Sequence, residues 1–482
     1  MASLKFSRRL TFNQNLISGA VLFFTVGVYL AVLGLGAGGG KPSSQRVSDI
    51  SNSSLYGIYA IFGFVSGAIM NKLGPRLTMT AGVAGYPLYV AGLFYYDRTG
   101  RDWFPILGGI LLGLSAPLLW STSGFIQWAY ATELEKGKYI AIQYFINQVG
   151  SVVGSLVAFA IIFGSSRSST SSSSSSSKAA SSITSDGSPT SVYIVMIVLI
   201  CLAFPLTMIG LVHPKTVRRA DGTPVAVFHN LPLRQEMRGV ISVLRDSRVL
   251  AMLPVIFSCE LALGILPSVS GRYFNLRTRA MNNVVFYAVQ LPASVACAYL
   301  TDRSPFHRRQ HRGYLSVSVL GAFVFAGWTA LLAWVCTSST WASPPEGGVD
   351  WTDSSKFSGP FILYLLFGII YGSHQQIGMW VMGTFTNEPT VLAVYGGLWK
   401  GVAAGGVAVQ FGMAAAKVSY EAQISFALAL QVISIPIMLG LLTQTRETNY
   451  NQEDNVIAPH YAETAVVNPK SEEVTVEESK SA

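Results

Sequence analysis

The sequence predicts an all-α polytopic membrane protein with twelve transmembrane helices in two six-helix halves. Three observations predict it. Apolar runs of about the ~20 residues needed to cross a bilayer as a helix recur along the chain. Only 12% of the residues are charged, against ~25% in an average soluble domain. The basic residues sit in short loops beside the apolar runs, so the net charge of +9 reads as membrane topology and not as a nucleic-acid surface. In hydrocarbon only helices and closed barrels satisfy their backbone polar groups, and runs of this length fit helices.

In chain order, residues 1–12 are polar and basic and form a short N-terminal segment inside the cell, with no cleavable signal. The N-terminal half, 13–212, carries spans at about 13–36, 54–70, 77–96, 104–130, 139–163 and 192–212. Its last loop, 165–191, is dominated by serine and holds the run Ser171 to Ser177, which buries no core and is expected to be a disordered external insertion. Asn52-Ser53-Ser54 is a glycosylation sequon at a membrane edge. A basic linker, 213–248, separates the halves. Within it, Leu233 to Leu244 places Arg234 and Arg238 along a helix suited to an anionic membrane surface or, equally, to solvent. The C-terminal half, 249–442, carries spans at about 249–270, 282–300, 313–336, 360–384, 391–416 and 422–442. The remaining 443–482 is polar and Glu-rich and is expected to be a disordered cytoplasmic tail.

Lys72, Arg76, Lys136, Lys138, Arg218, Arg219, Arg308, Arg309 and Arg312 fall on one side of this topology. That places both termini in the cytoplasm, although Arg272, Arg277 and Arg279 run the other way. Cys201, Cys259, Cys297 and Cys336 lie in or beside spans without metal spacing and read as packing residues. No catalytic constellation, cofactor motif or metal spacing stands out, so no enzyme, cofactor or metal is expected.

The loops after the second and eighth spans correspond. Gly67 is followed by Asn71, Lys72, Gly74 and Arg76, and Ala298 is followed by Asp302, Arg303 and Arg308. An Asx at a helix end beside cations can latch neighbouring helices, and internal repeats of this kind place a transporter's site between its halves. The first loop resembles the signature loop of the major facilitator superfamily, with Asn71 where that loop carries an acid. A narrower resemblance runs over about 13–165. Ser53-Ser54-Leu55-Tyr56-Gly57, the 71–76 loop, and Gly109 through Gly113 and Trp120 to Gly124 are similar to the uncoordinated-93-like, or ion channel regulatory protein-like, family, and the serine insertion resembles its fungal members. That resemblance implies the major facilitator fold. It also implies a role as a channel regulator or receptor-trafficking partner, with the substrate undefined.

Charges inside a bilayer are functional candidates by default. Glu260 lies about eleven residues into the seventh span and Lys400 about nine into the eleventh. At ~1.5 Å per residue this puts them at similar depth. They are read as an ion pair that either couples proton binding to movement or simply orders the bundle. His374, Gln375, Asn147 and Gln148 are candidates for a polar cavity, and Gln143, Gln290, Gln376 and Gln410 extend the set. The alternative is plain interhelical hydrogen bonding, worth ~0.6 kcal/mol each. Gly109/Gly113, Gly150/Gly154 and Gly397/Gly401/Gly405 are close-packing stripes. The expected function is a transporter-like protein that moves a small solute by alternating access. The alternative is a non-transporting regulatory or trafficking protein. The expected partners are lipid and a small solute or, on the alternative, another membrane protein.

Overall fold

The computed structural model describes residues 7–34, 45–170, 190–226, 233–303, 306–453 and 455–460. Among the described residues, eleven helical stretches are long and apolar enough to cross a membrane. One of them, Arg46–Thr99, has 54 residues, which as a straight helix would be about 80 Å long against a ~30 Å hydrocarbon core. It is broken at Gly74, whose φ of 76° and ψ of 167° lie outside the helical region. A left-handed φ suits glycine, and Pro75 behind it cannot donate back into the first helix. The break makes two crossings and brings the total to twelve.

The crossings are α1 (Thr11–Leu33), α2 (45–73), α3 (75–99), α4 (Trp103–Ala129), α5 (Lys136–Ala160) and α6 (Thr190–Gly210) in the first half. The second half has α7 (Ser247–Tyr273), α8 (Leu276–Arg303), α9 (Arg309–Thr337), α10 (Ser354–Gly383), α11 (Pro389–Ala415) and α12 (Tyr420–Leu442). The halves meet along two seams. In one, α2 and α4 pack on α11; in the other, α5 packs on α8 and α10. α1, α6 and α8 each contain a wide π turn, at Phe23–Gly27, Leu206–Gly210 and Tyr299–Arg303.

Both ends of the described chain lie on one face. The Arg218 amide donates to Arg9 O at 2.7 Å, and the Ile457 amide donates to Val225 O at 3.4 Å. This is the terminal face. The linker helix Leu233–Arg245 lies there and packs on α2, α7 and α11. It buries Val240 and Val243 and exposes Arg238 and Arg245.

Two expectations shift. Of the serine-rich segment 165–191, residues 171–189 lie outside the described residues, while 165–170 continue the α5 helix. The tail is not structureless from 443 onward. Residues 443–453 and 455–460 cross the terminal face as a strap, and 461–482 lie outside the described residues. Composition misses the strap because its order comes from distant partners. Arg219 Nη1 donates to Ile457 O at 2.5 Å, and Asn449 Nδ2 donates to Thr384 O at 2.8 Å. The sequon residue Asn52 is buried and accepts from Tyr89 Oη at 2.7 Å.

Candidate functional site

α7 does not run straight through. Helix Ser247–Ser258 stops and Ala262–Tyr273 resumes, with Cys259 to Leu261 in a turn. Pro254 and Pro267 each remove a backbone donor on either side of the gap. α12 takes up part of the backbone freed there: Gln431 Nε2 donates to Ser258 O at 2.8 Å, and the Ser258 and Ser434 hydroxyls pair at 2.9 Å. α11 backs directly onto the gap. A Cβ on Gly406 would stand 2.0 Å from Phe257 O, so only glycine fits.

Glu260 sits in this gap and points across to Lys400 of α11. Lys400 Nζ donates to Glu260 Oε1 at 2.5 Å and to Gln375 Oε1 of α10 at 2.8 Å. The same ammonium lies 4.0 Å from the ring centroid of Trp120, which belongs to α4 of the other half. Glu260 and Lys400 are each 7% exposed. The ammonium is therefore desolvated, and a carboxylate, an amide and a ring face replace its water. Two of these contacts stay within the second half and one reaches the first.

Around this group lies a cavity of about 50 Å³ between the halves, room for about three or four waters. The second half gives it Glu260, Gln375, Tyr371 and Lys400. The first half gives it Trp120, Asn147, Gln148 and the tyrosines Tyr29, Tyr56, Tyr59, Tyr86 and Tyr144. Tyr29 and Tyr56 hydroxyls pair at 3.4 Å, and Tyr144 Oη donates to Gln290 Oε1 at 2.8 Å. Gln148 Nε2 also donates to Gln290 Oε1. Tyr59 Oη and Asn147 Oδ1 are buried without a hydrogen-bond partner in the protein.

Side chains of both halves meet above and below the cavity. On the side away from the termini, Tyr56 stacks on Phe411 at 5.9 Å, and Asn283 Nδ2 donates to Ser155 Oγ at 2.9 Å. On the terminal side, Lys136 Nζ donates to Gly383 O at 2.5 Å and Thr386 O at 2.9 Å, capping the end of α10. Glu133 lies 3.8 Å from the Arg309 guanidinium and accepts from the Asn449 amide of the strap at 2.9 Å.

The two signature loops do related work across the two seams. Asp302, at the end of α8, accepts from the amides of Gly137 at 3.1 Å and Lys138 at 2.6 Å, at the start of α5. A carboxylate there satisfies otherwise orphaned donors and faces the positive end of the helix dipole. Asn71, at the end of α2, donates to Thr390 O at 3.2 Å, at the start of α11. Here the partner is a carbonyl, which an amide can bond and a carboxylate cannot. Gly67 lies against α11, where its Cβ would be 2.6 Å from Ala393 O. Gly74 makes the turn, Lys72 and Arg76 flank it on the terminal face, and Arg303 is exposed there.

The structure thus brings Glu260, Lys400, Gln375, Asn147 and Gln148 to one cavity. It does not bring His374 there. His374 is fully buried on the other side of α10, beside Gln431 of α12. Gln376 Nε2 donates to Ser294 Oγ, Gln143 Nε2 to Asn15 Oδ1, and Gln410 Nε2 to Gln423 Oε1, so these amides tie helices together. Trp120 and the tyrosines were missed by reasoning from charge alone. The signal was present in the i, i+3 spacing of Tyr56 and Tyr59, which puts two phenols on one face of α2.

Two six-helix halves around a midplane polar cavity define a protein of major facilitator type, with transporter-type architecture. Solved structures agree on the fold. A bacterial homologue of the iron transporter ferroportin in an outward-facing state aligns with TM-score 0.61 at 10% identity, covering 90% of this chain and 99% of that one. The major facilitator transporter FucP in its outward conformation aligns with TM-score 0.59 at 12% identity, covering 91% and 100%. The profile of the family described as ion channel regulatory protein UNC-93 matches residues 46–267. UNC93-like protein 1 of Arabidopsis thaliana is 30% identical over 92% of both chains. An uncharacterised membrane protein of Schizosaccharomyces pombe is 34% identical over 85% of this chain and 80% of its own length. The chain belongs to the UNC93-like family, and it is a multi-pass integral membrane protein.

Proposed function

We propose that the protein carries a small polar solute across a membrane by alternating access. The observation that carries this reading is the position of the Lys400 ammonium, which is held by Glu260 and Gln375 of one half and lies 4.0 Å over Trp120 of the other. Separating the halves costs the cation its ring, and a solute entering the cavity replaces that contact. The unpartnered Tyr59 Oη and Asn147 Oδ1 offer such a solute a hydroxyl and an amide oxygen. The cavity of about 50 Å³, with contacts between the halves on either side of it, fits an occluded stage of the cycle. On this reading the terminal face, with its basic loops, is cytoplasmic. The test is an untargeted comparison of solutes taken up by sealed vesicles containing the wild-type chain, the Trp120→Ala variant, or no protein. A solute accumulated by the wild type and lost in Trp120→Ala supports carriage; identical contents in all three would sink it.

A second reading is favoured by two specific observations, the family's description as ion channel regulatory proteins and the aromatic lining of so small a cavity. In it the fold no longer carries a solute and acts as a regulatory or trafficking partner of another membrane protein. Vesicles with no uptake, together with a membrane protein that co-purifies stoichiometrically, are the result expected from that reading.

A further inference from the structure

A second cavity, of about 1090 Å³, lies on the terminal face, away from the site between the halves. Its walls are the end of the linker helix, the start of α7, the loop from α10 to α11, and the strap. The chemistry of these walls is lopsided. Among the described residues, Arg245, Arg248 and Arg446 line it against two carboxylates, Asp246 and Glu453. Both carboxylates are occupied. Asp246 accepts from Arg248 Nη2 at 2.7 Å, from Arg248 Nε at 3.1 Å and from the Arg248 amide at 2.9 Å. Glu453 accepts from Thr386 Oγ1 at 2.5 Å and from the Asn387 amide at 2.8 Å. Arg446 donates to the neutral Gln452, and Arg245 is exposed on the rim. The protein therefore leaves two guanidinium groups beside a polar cavity with its acids already satisfied. A ligand that engages both guanidinium groups brings anionic oxygens, and a guanidinium fork matches phosphate with two parallel bonds. The volume lies just above the range for small-ligand pockets, ~300–1,000 Å³.

We propose that this cavity binds a phosphate-bearing anion between Arg245 and Arg446. Because Arg245 ends the linker helix and Arg446 belongs to the strap, the ligand joins the two. The next strap residues hold the other half of the molecule: the Asn449 amide donates to Glu133 at 2.9 Å, and Tyr450 Oη accepts from the Glu133 amide at 3.3 Å. Occupancy thus fastens the strap and keeps the terminal side of the central cavity shut. The phosphate has two sources, a soluble phosphoester or the headgroup of a lipid beside the exposed linker helix. The inference does not depend on whether the protein carries a solute.

The test uses the full-length purified chain and two readouts, the thermal unfolding midpoint and the rate of tryptic cleavage in the strap. The probes are inositol trisphosphate in detergent, and nanodiscs of phosphatidylcholine with or without phosphatidylinositol phosphate or phosphatidylserine. The variant Arg245→Gln with Arg446→Gln alters exposed side chains and should unfold at the wild-type temperature without probe; Arg245→Gln alone keeps the tryptic site. The expected result is a raised midpoint and slowed cleavage with a phosphate probe, and an apparent affinity lower by about tenfold or more in the double variant. A response to inositol trisphosphate identifies a soluble ligand, and a response only in phosphoinositide nanodiscs identifies a lipid. No response to any probe overturns the proposal. So does an equal response to phosphatidylserine that the double variant retains, because that is general membrane charge.

Discussion

The two seams between the halves are closed by opposite means. Along the middle of α2 and α11, between the Asn71–Thr390 bond at one end and the Tyr56–Phe411 stack at the other, the side chains are removed: a Cβ on Gly63 would lie 2.6 Å from Gly401 Cα, and one on Gly397 would lie 2.4 Å from Ser66 Oγ. Along α5 and α8 the side chains are polar and bond across the seam, at Asn283 to Ser155, Gln148 to Gln290, and Asp302 to the start of α5. The first seam gains its contact from backbone surfaces that fit in one relative position. The second is held by hydrogen bonds, which can break and re-form with other partners or water as the halves move. The difference teaches that α2 and α11 set how closely the halves approach, while α5 and α8 set what must be released when they part.

Four changes would break or sharpen this contrast. The largest effect belongs to the charge pair between the seams. Removing one partner of a buried pair costs ~3–5 kcal/mol, whereas an apolar replacement of both can be near neutral. Glu260→Gln or Lys400→Met should each cut folded yield sharply, and the double change should restore it. Yield losses that simply add in the double variant would show that the two groups act independently. Next, Gly63→Ala overpacks the backbone seam and should destabilise by ~1–3 kcal/mol. Gly57→Ala, with open space around its Cβ, should be neutral or slightly stabilising. Equal thermal midpoints for the two variants would remove the seam argument. Third, Asp302→Ala strips a cap from α5 and should cost ~1–2 kcal/mol. Asp302→Asn should recover part of it, and cysteine accessibility at the terminal side of α5 should rise in Asp302→Ala. Unchanged accessibility would make the loop purely topological. The smallest effect lies outside both seams. Burial would raise the Asp350 carboxyl, but hydrogen bonds from Asn275, Thr352 and Arg277 outweigh it and hold it at about 2. A depressed folded-state value contributes stability that is present above the unfolded value of ~3.9 and lost as pH falls towards 2. The loop before α10 should therefore loosen to proteolysis by an acid-active protease between about pH 4 and pH 2. Asp350→Asn should remove that pH dependence; a variant with the wild-type profile would exclude the carboxyl as its source.

Much of the architecture was legible because crossing a bilayer is a one-dimensional requirement. A run of ~20 apolar residues declares itself without any partner. The pairing of Glu260 with Lys400 was legible for a similar reason, since depth follows from counting residues along a span. Azimuth around a helix does not follow from counting. His374 and Gln375 are adjacent in sequence, yet one faces Gln431 and the other faces Lys400. The aromatic lining escaped because a tyrosine in a span reads equally as packing, interface or site. The strap escaped because its composition is that of a solvated tail, and its partners Glu133, Arg219 and Thr384 are remote in the chain.

The wide turn at Phe23–Gly27 carries a consequence for chain length. A π turn holds one residue more than the α turn it replaces, so α1 behaves as a helix with a single built-in insertion. Deleting one residue there would let α1 close as a regular helix with its two ends at nearly the same relative azimuth, because the π turn and the shorter α turn each complete one turn. Tyr29 should then still face the cavity while Asn15 keeps its bond to Tyr139 O at 3.0 Å. α1 should accordingly tolerate the loss of Thr25 better than α11, a regular helix from Pro389 to Ala415, tolerates the loss of Ala403, which would turn its two ends by about 100° relative to each other; folded yield of the two variants measures the comparison directly.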